Sequence, residues 1–465
     1  MAFVLRPETA AMEHARRQGV TPLVITTRDE LMALIPRYDI VQLDWWNMPE
    51  LDAFLRAGIP AARLLTWIHV AGHSAPQAIP PALVEFSDFV VASCPYCYEA
   101  DAIQALPPEL RAQKTAMIYD AADFERLDGF SHRETGKFVV GYIGLLERKK
   151  LHPDYIAMSA CIRVPDIEFV VCGDGNLPEL KAETETWSAA DRFAFRGFVE
   201  DIRAEIESFD VYGYPVCEDT YATGELNLQE VMFAGVPPVV FPYGGIRDLV
   251  VPEYTGLVVR SAQEYRDAIE HLFHSPEERQ RLGRNAQSYA RQIFGAHNWA
   301  ARVNAIYEEL LQKPKRLRSW QDTHAFGADG QFPPGAAALL PYLGRDRDFF
   351  ERSIRSEELC ALLGADRKVS RVSSHVLEGG VVPYLNYYPA DPVLRFWAGL
   401  IYLEQGNFLR AYVELSQSIE LGFRHYRAAW YCAKAALLAG KQEDARRITS
   451  TLLERTPAFI HDAGV

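Results

Sequence analysis

No stretch of this sequence approaches the ~18 uninterrupted apolar residues that a membrane-spanning helix needs. Its start, MAFVLRPETAAMEHARRQG, lacks the short apolar core behind a basic segment that marks an exported chain. Positive charge is outnumbered: 48 Lys and Arg stand against 62 Asp and Glu, for a net charge of −14 and a pI near 5.4. No summed basic field therefore draws the surface onto nucleic acid or anionic lipid. Cysteine is sparse. The seven residues, at 94, 97, 161, 172, 217, 360 and 432, are odd in number and scattered, which speaks against a disulfide framework. These absences predict a cytoplasmic protein with reduced, mostly buried thiols.

What is present is enough apolar material for several cores: 465 residues, 49% hydrophobic, 24% charged and 12% aromatic. From residue 20 to about 260, β-branched runs alternate with helical patterns, the signature of parallel sheets with crossover helices. A first set comprises TPLVITT, YDIVQLDWW, ARLLTWIHV, DFVVASC and KTAMIYDA. The polar segment 128–137 separates it from a second set: KFVVGYIG, IEFVVCGDG, RFAFRGF, DVYGYP, VPPVVFPYGG and TGLVV. Amphipathic helices follow over 262–312, then a stretch with basic, Gly and Pro content over 313–336 that reads as a linker. Beyond it, Gly406 and Gly440 are 34 residues apart, as are Ala411 and Ala445, and small residues recur where two helices would touch. That period is similar to the tetratricopeptide repeat. The expected division is a first lobe over 1–130, a second lobe over 137–312, the linker 313–336 and a helical domain over 337–465.

The second lobe carries an ordered series of motifs. Strand VVGYIG runs into Gly144-Leu145-Leu146-Glu147-Arg148-Lys149-Lys150. Then come Gly173-Asp174-Gly175, Tyr214-Pro215, the run Glu225 to Pro237, Gly244-Gly245-Ile246 and Thr255-Gly256-Leu257. In this order and spacing they resemble the donor lobe of retaining nucleotide-sugar glycosyltransferases of the GT-B fold, the glycogen-synthase and sucrose-synthase type of glycosyltransferase group 1. The resemblance implies two Rossmann-like lobes ahead of the all-α tail. It also implies a UDP- or GDP-sugar as donor substrate, a saccharide or protein acceptor, and neither cofactor nor metal.

The chemistry of such a donor is consistent with these residue types: a diphosphate calls for cations and exposed backbone N–H groups, and a ribose diol calls for a carboxylate. The resemblance assigns Lys150 and Arg148 to the diphosphate after the loop glycine Gly144, Glu230 to the ribose, and the N–H groups of Gly244, Gly245 and Ile246 to the donor. Two positions depart from the family: Leu145 where it has arginine, and Ala222 where it has a sugar-contacting glutamate. Glu218 and Glu225 flank that gap, and Glu218 is favoured because it follows DVYGYP at the distance expected after a strand end.

In the first lobe, which lacks a Gly-rich loop ahead of TPLVITT and reads as shortened, His69 at the end of ARLLTWIHV matches the family's cleft histidine. His73 is a weaker candidate, and Asp123 matches the aspartate of the closing turn. Cys94-Pro95-Tyr96-Cys97 copies the glutaredoxin tetrad without the domain around it and reads as an ordinary strand-to-helix turn. Asp346-Arg347-Asp348 reads as surface charge on the tail. The expected function is transfer of a sugar with retention of configuration, the tail serving acceptor or protein-partner binding. The alternatives are an inverting protein-glycosylating enzyme and a catalytically weakened GT-B scaffold acting through its repeats.

Overall fold

The computed structural model of the chain describes residues 2–4, 9–147, 149–320, 332–371 and 379–455. Strands β1 (Ala2–Val4) and β2 (Pro22–Val24) form a parallel pair of their own. After β3 (Val41–Leu43) and β4 (Ile59–Ala62) come β5 (Leu64–Ile68), β6 (Phe89–Ala92) and β7 (Thr115–Met117). A four-stranded parallel sheet has the order β3-β5-β6-β7. Every residue of β5 and β6 is buried, as expected of parallel strands covered on both faces. The segment TPLVITT differs from expectation: only its Pro22–Val24 part is a strand, and it pairs with Ala2–Val4, which the sequence did not reveal. Three residues with Val24 exposed bury too little to extend the larger sheet.

The second lobe holds β8 (Phe138–Ile143), β9 (Ile167–Cys172), β10 (Phe193–Gly197), β11 (Val211–Tyr214), β12 (Pro238–Val240) and β13 (Leu257–Val258). All pair in parallel in the order β10-β9-β8-β11-β12-β13. The chain therefore reverses its direction of travel between β8 and β11, and a crevice opens outside the carboxyl ends of those two strands. The return helix Ala296–Gln312 goes back to the first lobe, where Trp299 lies 5.6 Å from Trp67, ring centre to ring centre.

The basic segment read as a linker is held down. Strand β14 (Arg316–Arg318) pairs antiparallel with β4, and both arginines bond Asp88. After the helix Pro334–Leu339 the all-α region builds two hairpins, Pro392–Glu404 with Phe408–Glu420 and Tyr426–Leu438 with Gln442–Arg455. Gly406 and Gly440 occupy the two turns with φ of +76° and +78°, the left-handed conformation that glycine adopts without strain. One apolar cluster joins Trp46, Ile68, Val70, Ile79 and Leu83 of the first lobe to Leu339, Tyr342, Phe350 and Trp397 of this region. The Tyr342 hydroxyl donates to Asp52, and both groups are buried. The helical region and the first lobe thus share one core.

Candidate functional site

The crevice at the β8–β11 switch is built by two loops zipped together. Leu151 bridges Val216, the Cys217 N–H donates to the Lys150 carbonyl at 2.9 Å, and the His152 N–H donates to Pro215 at 2.9 Å. This zipper points Lys150 inward. Its Nζ donates to both oxygens of Glu225, at 2.7 and 2.6 Å, with each side chain only 9% exposed. The Tyr214 hydroxyl and the Thr223 N–H also donate to Glu225, and the Lys150 ammonium lies over the Tyr221 ring at 5.2 Å. Burial would raise the Glu225 pKa, but the Lys150 charge and these hydrogen bonds outweigh it and hold the carboxyl below its usual range.

Glu225, rather than Glu218, is therefore the carboxylate that the fold brings to Lys150. Glu218 is exposed and lines a cleft of about 560 Å³ between the loops that follow β8 and β11, beside Glu147, His152 and Glu183. Arg148 lies outside the described residues. Leu145 is exposed, and Lys149 pairs with Asp219 at 3.0 Å.

Glu230, on the helix Leu226–Phe233, is buried and bonded to Arg126, which comes from the segment joining the two lobes. Burial pushes its pKa up against the pull of that arginine. On the next strand loop, a Cβ at Gly245 would sit 2.5 Å from the Thr223 carbonyl and 2.8 Å from Cys94 Sγ, so the loops and the lobes meet there only because the side chain is absent. The Gly245 N–H, expected to face the donor, donates to the Ala222 carbonyl at 2.9 Å in this structure. Gly244 and Ile246 are buried on the same turn.

Across the crevice, His69 ends β5 between two carboxylates. Nδ1 lies 3.1 Å from Asp120 Oδ1, Nε2 lies 3.1 Å from Asp44 Oδ1, and the ring stacks on Trp67 at 5.8 Å. Burial lowers the His69 pKa, but its hydrogen bonds to Asp120 and Asp44 and their charges dominate, raising it from 6.5 to about 9. The Thr223 hydroxyl donates to the His69 carbonyl at 2.8 Å, and Gln229 Nε2 donates to the Asp120 carbonyl at 2.8 Å, tying His69 to the loop that carries Glu225. His73 is instead spent on the Tyr96 carbonyl at 2.9 Å, and burial lowers its pKa. Asp123 turns back on its own chain, accepting from the Glu125 N–H at 3.1 Å.

Asp44, Asp120 and Arg126 come from separate strand ends and the segment between the lobes and belong to no local motif, and Gln229, although inside the run Glu225 to Pro237, has its partner Asp120 109 residues away. Cys94-Pro95-Tyr96-Cys97 is the strand-to-helix turn expected, whereas the reading of Asp346 as surface charge changes. Cys94 and Cys97 are buried thiols with Sγ atoms 3.2 Å apart, and their mutual hydrogen bond and burial push the Cys94 pKa well up, as for inert structural thiols. Asp346 is half-buried near Lys149 and Asp219, and its pKa is raised by burial, whereas Asp348 remains an exposed partner of Arg352. Among the described residues, no group of three or more His, Cys, Asp or Glu is placed to hold a metal ion, and no helix is long and apolar enough to cross a membrane.

The two lobes define a class. They have the GT-B architecture, shared with a structure of Anabaena HepE in complex with UDP (TM-score 0.55, 18% identity, 66% of this chain and 91% of that one). A glycosyltransferase from Rickettsia africae shares it too (TM-score 0.56, 14% identity, 66% and 89%). In sequence, residues 123–289 match the family of glycosyl transferases group 1. GDP-mannose-dependent alpha-mannosyltransferases from Mycobacterium tuberculosis (29% identity, 41% of this chain, 46% of the relative) and Mycolicibacterium smegmatis (33%, 27% and 31%) are similar over part of their length. The chain thus spans less than half of these curated relatives.

Proposed function

We propose that this protein is a glycosyltransferase that takes a sugar from a nucleoside diphosphate donor in the β8–β11 crevice and passes it to an acceptor held by the first lobe. The observation that carries this reading is the facing arrangement of Lys150–Glu225 and Glu230 on one lobe and His69 on the other, within the segment that matches group 1 glycosyl transferases. Lys150 neutralises charge as the diphosphate departs, the largest electrostatic demand of the reaction. Glu230 receives the ribose hydroxyls, exchanging Arg126 for them. Because Lys150 is closed on Glu225 in the free protein, the incoming diphosphate competes with that carboxylate, and Glu225 is left facing the transferred sugar. The similarity to GDP-mannose-dependent enzymes favours a GDP-sugar. Retention follows if the acceptor oxygen bonds the anomeric carbon on the face the diphosphate leaves, with the acceptor proton passing to the departing phosphate oxygen. Incubating the protein with GDP-, UDP- and ADP-sugars and following nucleotide release and product anomer by NMR tests this. Release from one donor with an α-linked product from an α-donor is expected; no release from any donor sinks the reading.

A further inference from the structure

We infer that the cleft between helices Arg28–Leu34 and Pro49–Arg56 and the edge strand β3 is the acceptor subsite, and that it takes an uncharged hydroxyl compound with an apolar body, hydrogen-bonded at one end to Asp44. The inference deepens the proposed transferase reading and rests on it. The cleft measures about 480 Å³, within the ~300–1,000 Å³ of small-molecule sites. Its walls are aliphatic and aromatic, among them Leu31, Ile35, Met48, Phe54 and Leu55, while Asp44 belongs both to its lining and to the His69 array. One end is therefore polar and the body apolar.

The polar end is prepared for a donor of hydrogen bonds. Asp44 Oδ1 is used by His69 at 3.1 Å and by Gln42 Nε2 at 2.7 Å, and Gln42 is held by the Tyr307 hydroxyl at 2.6 Å. Asp44 Oδ2 takes no hydrogen bond from the described residues, and the side chain is 47% exposed. With both His69 ring nitrogens occupied by carboxylates, the substrate-facing group is Asp44 and not the histidine. A carboxylate there accepts from a hydroxyl and repels a phosphate or carboxylate. The array also reaches the donor lobe, since Asp120 is tied through Gln229 to the helix that carries Glu230. Asp44 binds and orients the acceptor; the acceptor proton still leaves with the diphosphate.

Calorimetric titration of the full chain with n-octyl β-glucoside below its micelle concentration, methyl β-glucoside and n-octyl sulfate tests the inference. The octyl glucoside is expected to bind at least tenfold more tightly than the methyl glucoside and than octyl sulfate. Met48→Trp, which fills the cleft, is expected to erase the octyl preference with GDP and UDP binding unmoved, and Asp44→Asn to weaken octyl glucoside at least fivefold. Equal affinity for octyl and methyl glucosides, octyl sulfate binding as well as the glucoside, or an octyl preference that survives Met48→Trp in a folded protein overturns it. Failure of the transferase reading is seen separately, as absence of nucleotide diphosphate binding in the wild type.

Discussion

Replacing Lys150 with methionine separates two roles that the structure gives one side chain. In the free protein the ammonium is the counter-charge of Glu225, with both side chains 9% exposed and two short bonds between them. Removing it leaves a buried carboxylate supported only by the Tyr214 hydroxyl and the Thr223 N–H, and breaking such a pair costs about 3–5 kcal/mol. At ~2–4 °C per kcal/mol for a lobe of this size, the donor-lobe transition should fall by roughly 6–20 °C. Lys150→Met with Glu225→Gln removes both charges and should recover most of the loss, because a neutral replacement of a buried pair is often close to neutral. Differential scanning calorimetry of wild type, both single variants and the double variant gives the coupling directly. Glu225 also sets a pH sign: its folded pKa lies below the ordinary 4.5, so the pair's contribution is present above about pH 4.5 and is lost as pH falls through the folded value. If Lys150→Met melts within ~1 kcal/mol of wild type, or the double variant is no better than the single, the buried pair is not the anchor argued here.

Four further outcomes follow from the same geometry. Glu225→Gln frees Lys150 for phosphate, so nucleoside diphosphate binding by calorimetry should tighten, by up to about tenfold or ~1.4 kcal/mol, while transfer falls. The His69 pKa, raised from 6.5 to about 9, gives stability that is full below pH 6.5 and is lost as pH rises through 9; thermal melts should show this slope in wild type and not in His69→Gln. Gly245→Ala places a methyl 2.5 Å from the Thr223 carbonyl and should weaken nucleotide binding by disturbing the contact between the lobes, read by titration alongside a melt. A chain ending at Gln312 should aggregate or bind an apolar dye, because it uncovers Trp46, Ile68, Val70 and Ile79; light scattering equal to the full chain would contradict the shared core.

The donor lobe was the most legible part of the sequence because its signals are local. β8, β9 and β11 are apolar runs ending in glycine or Tyr-Pro turns, and each turn lies on the same sheet edge once the parallel order is known. Lys150 and Glu230 were singled out through the resemblance, each by its place in a motif that it shares with the family. Glu225 was harder, since its partner comes from 75 residues earlier and the choice against Glu218 depends on which way the loop folds over Lys150. Asp44, Asp120 and Arg126 carried no signal, being single charges at the ends of separate elements. Arg316 and Arg318 lie in the segment read as a linker, yet both bond Asp88, which directly precedes β6 and is distant from them in sequence. The 34-residue spacing located the helical hairpins but not their docking, which rests on apolar faces shared with the first lobe.

The most direct test of the central claim is calorimetric titration of the full chain with GDP and UDP, repeated with Glu230→Ala. The account predicts that at least one of the two diphosphates binds, and that loss of the ribose carboxylate weakens it by about 1.5–3 kcal/mol, roughly 10- to 150-fold. Binding of neither nucleotide at millimolar concentration, or equal binding by wild type and Glu230→Ala, would contradict a donor site at the β8–β11 crevice.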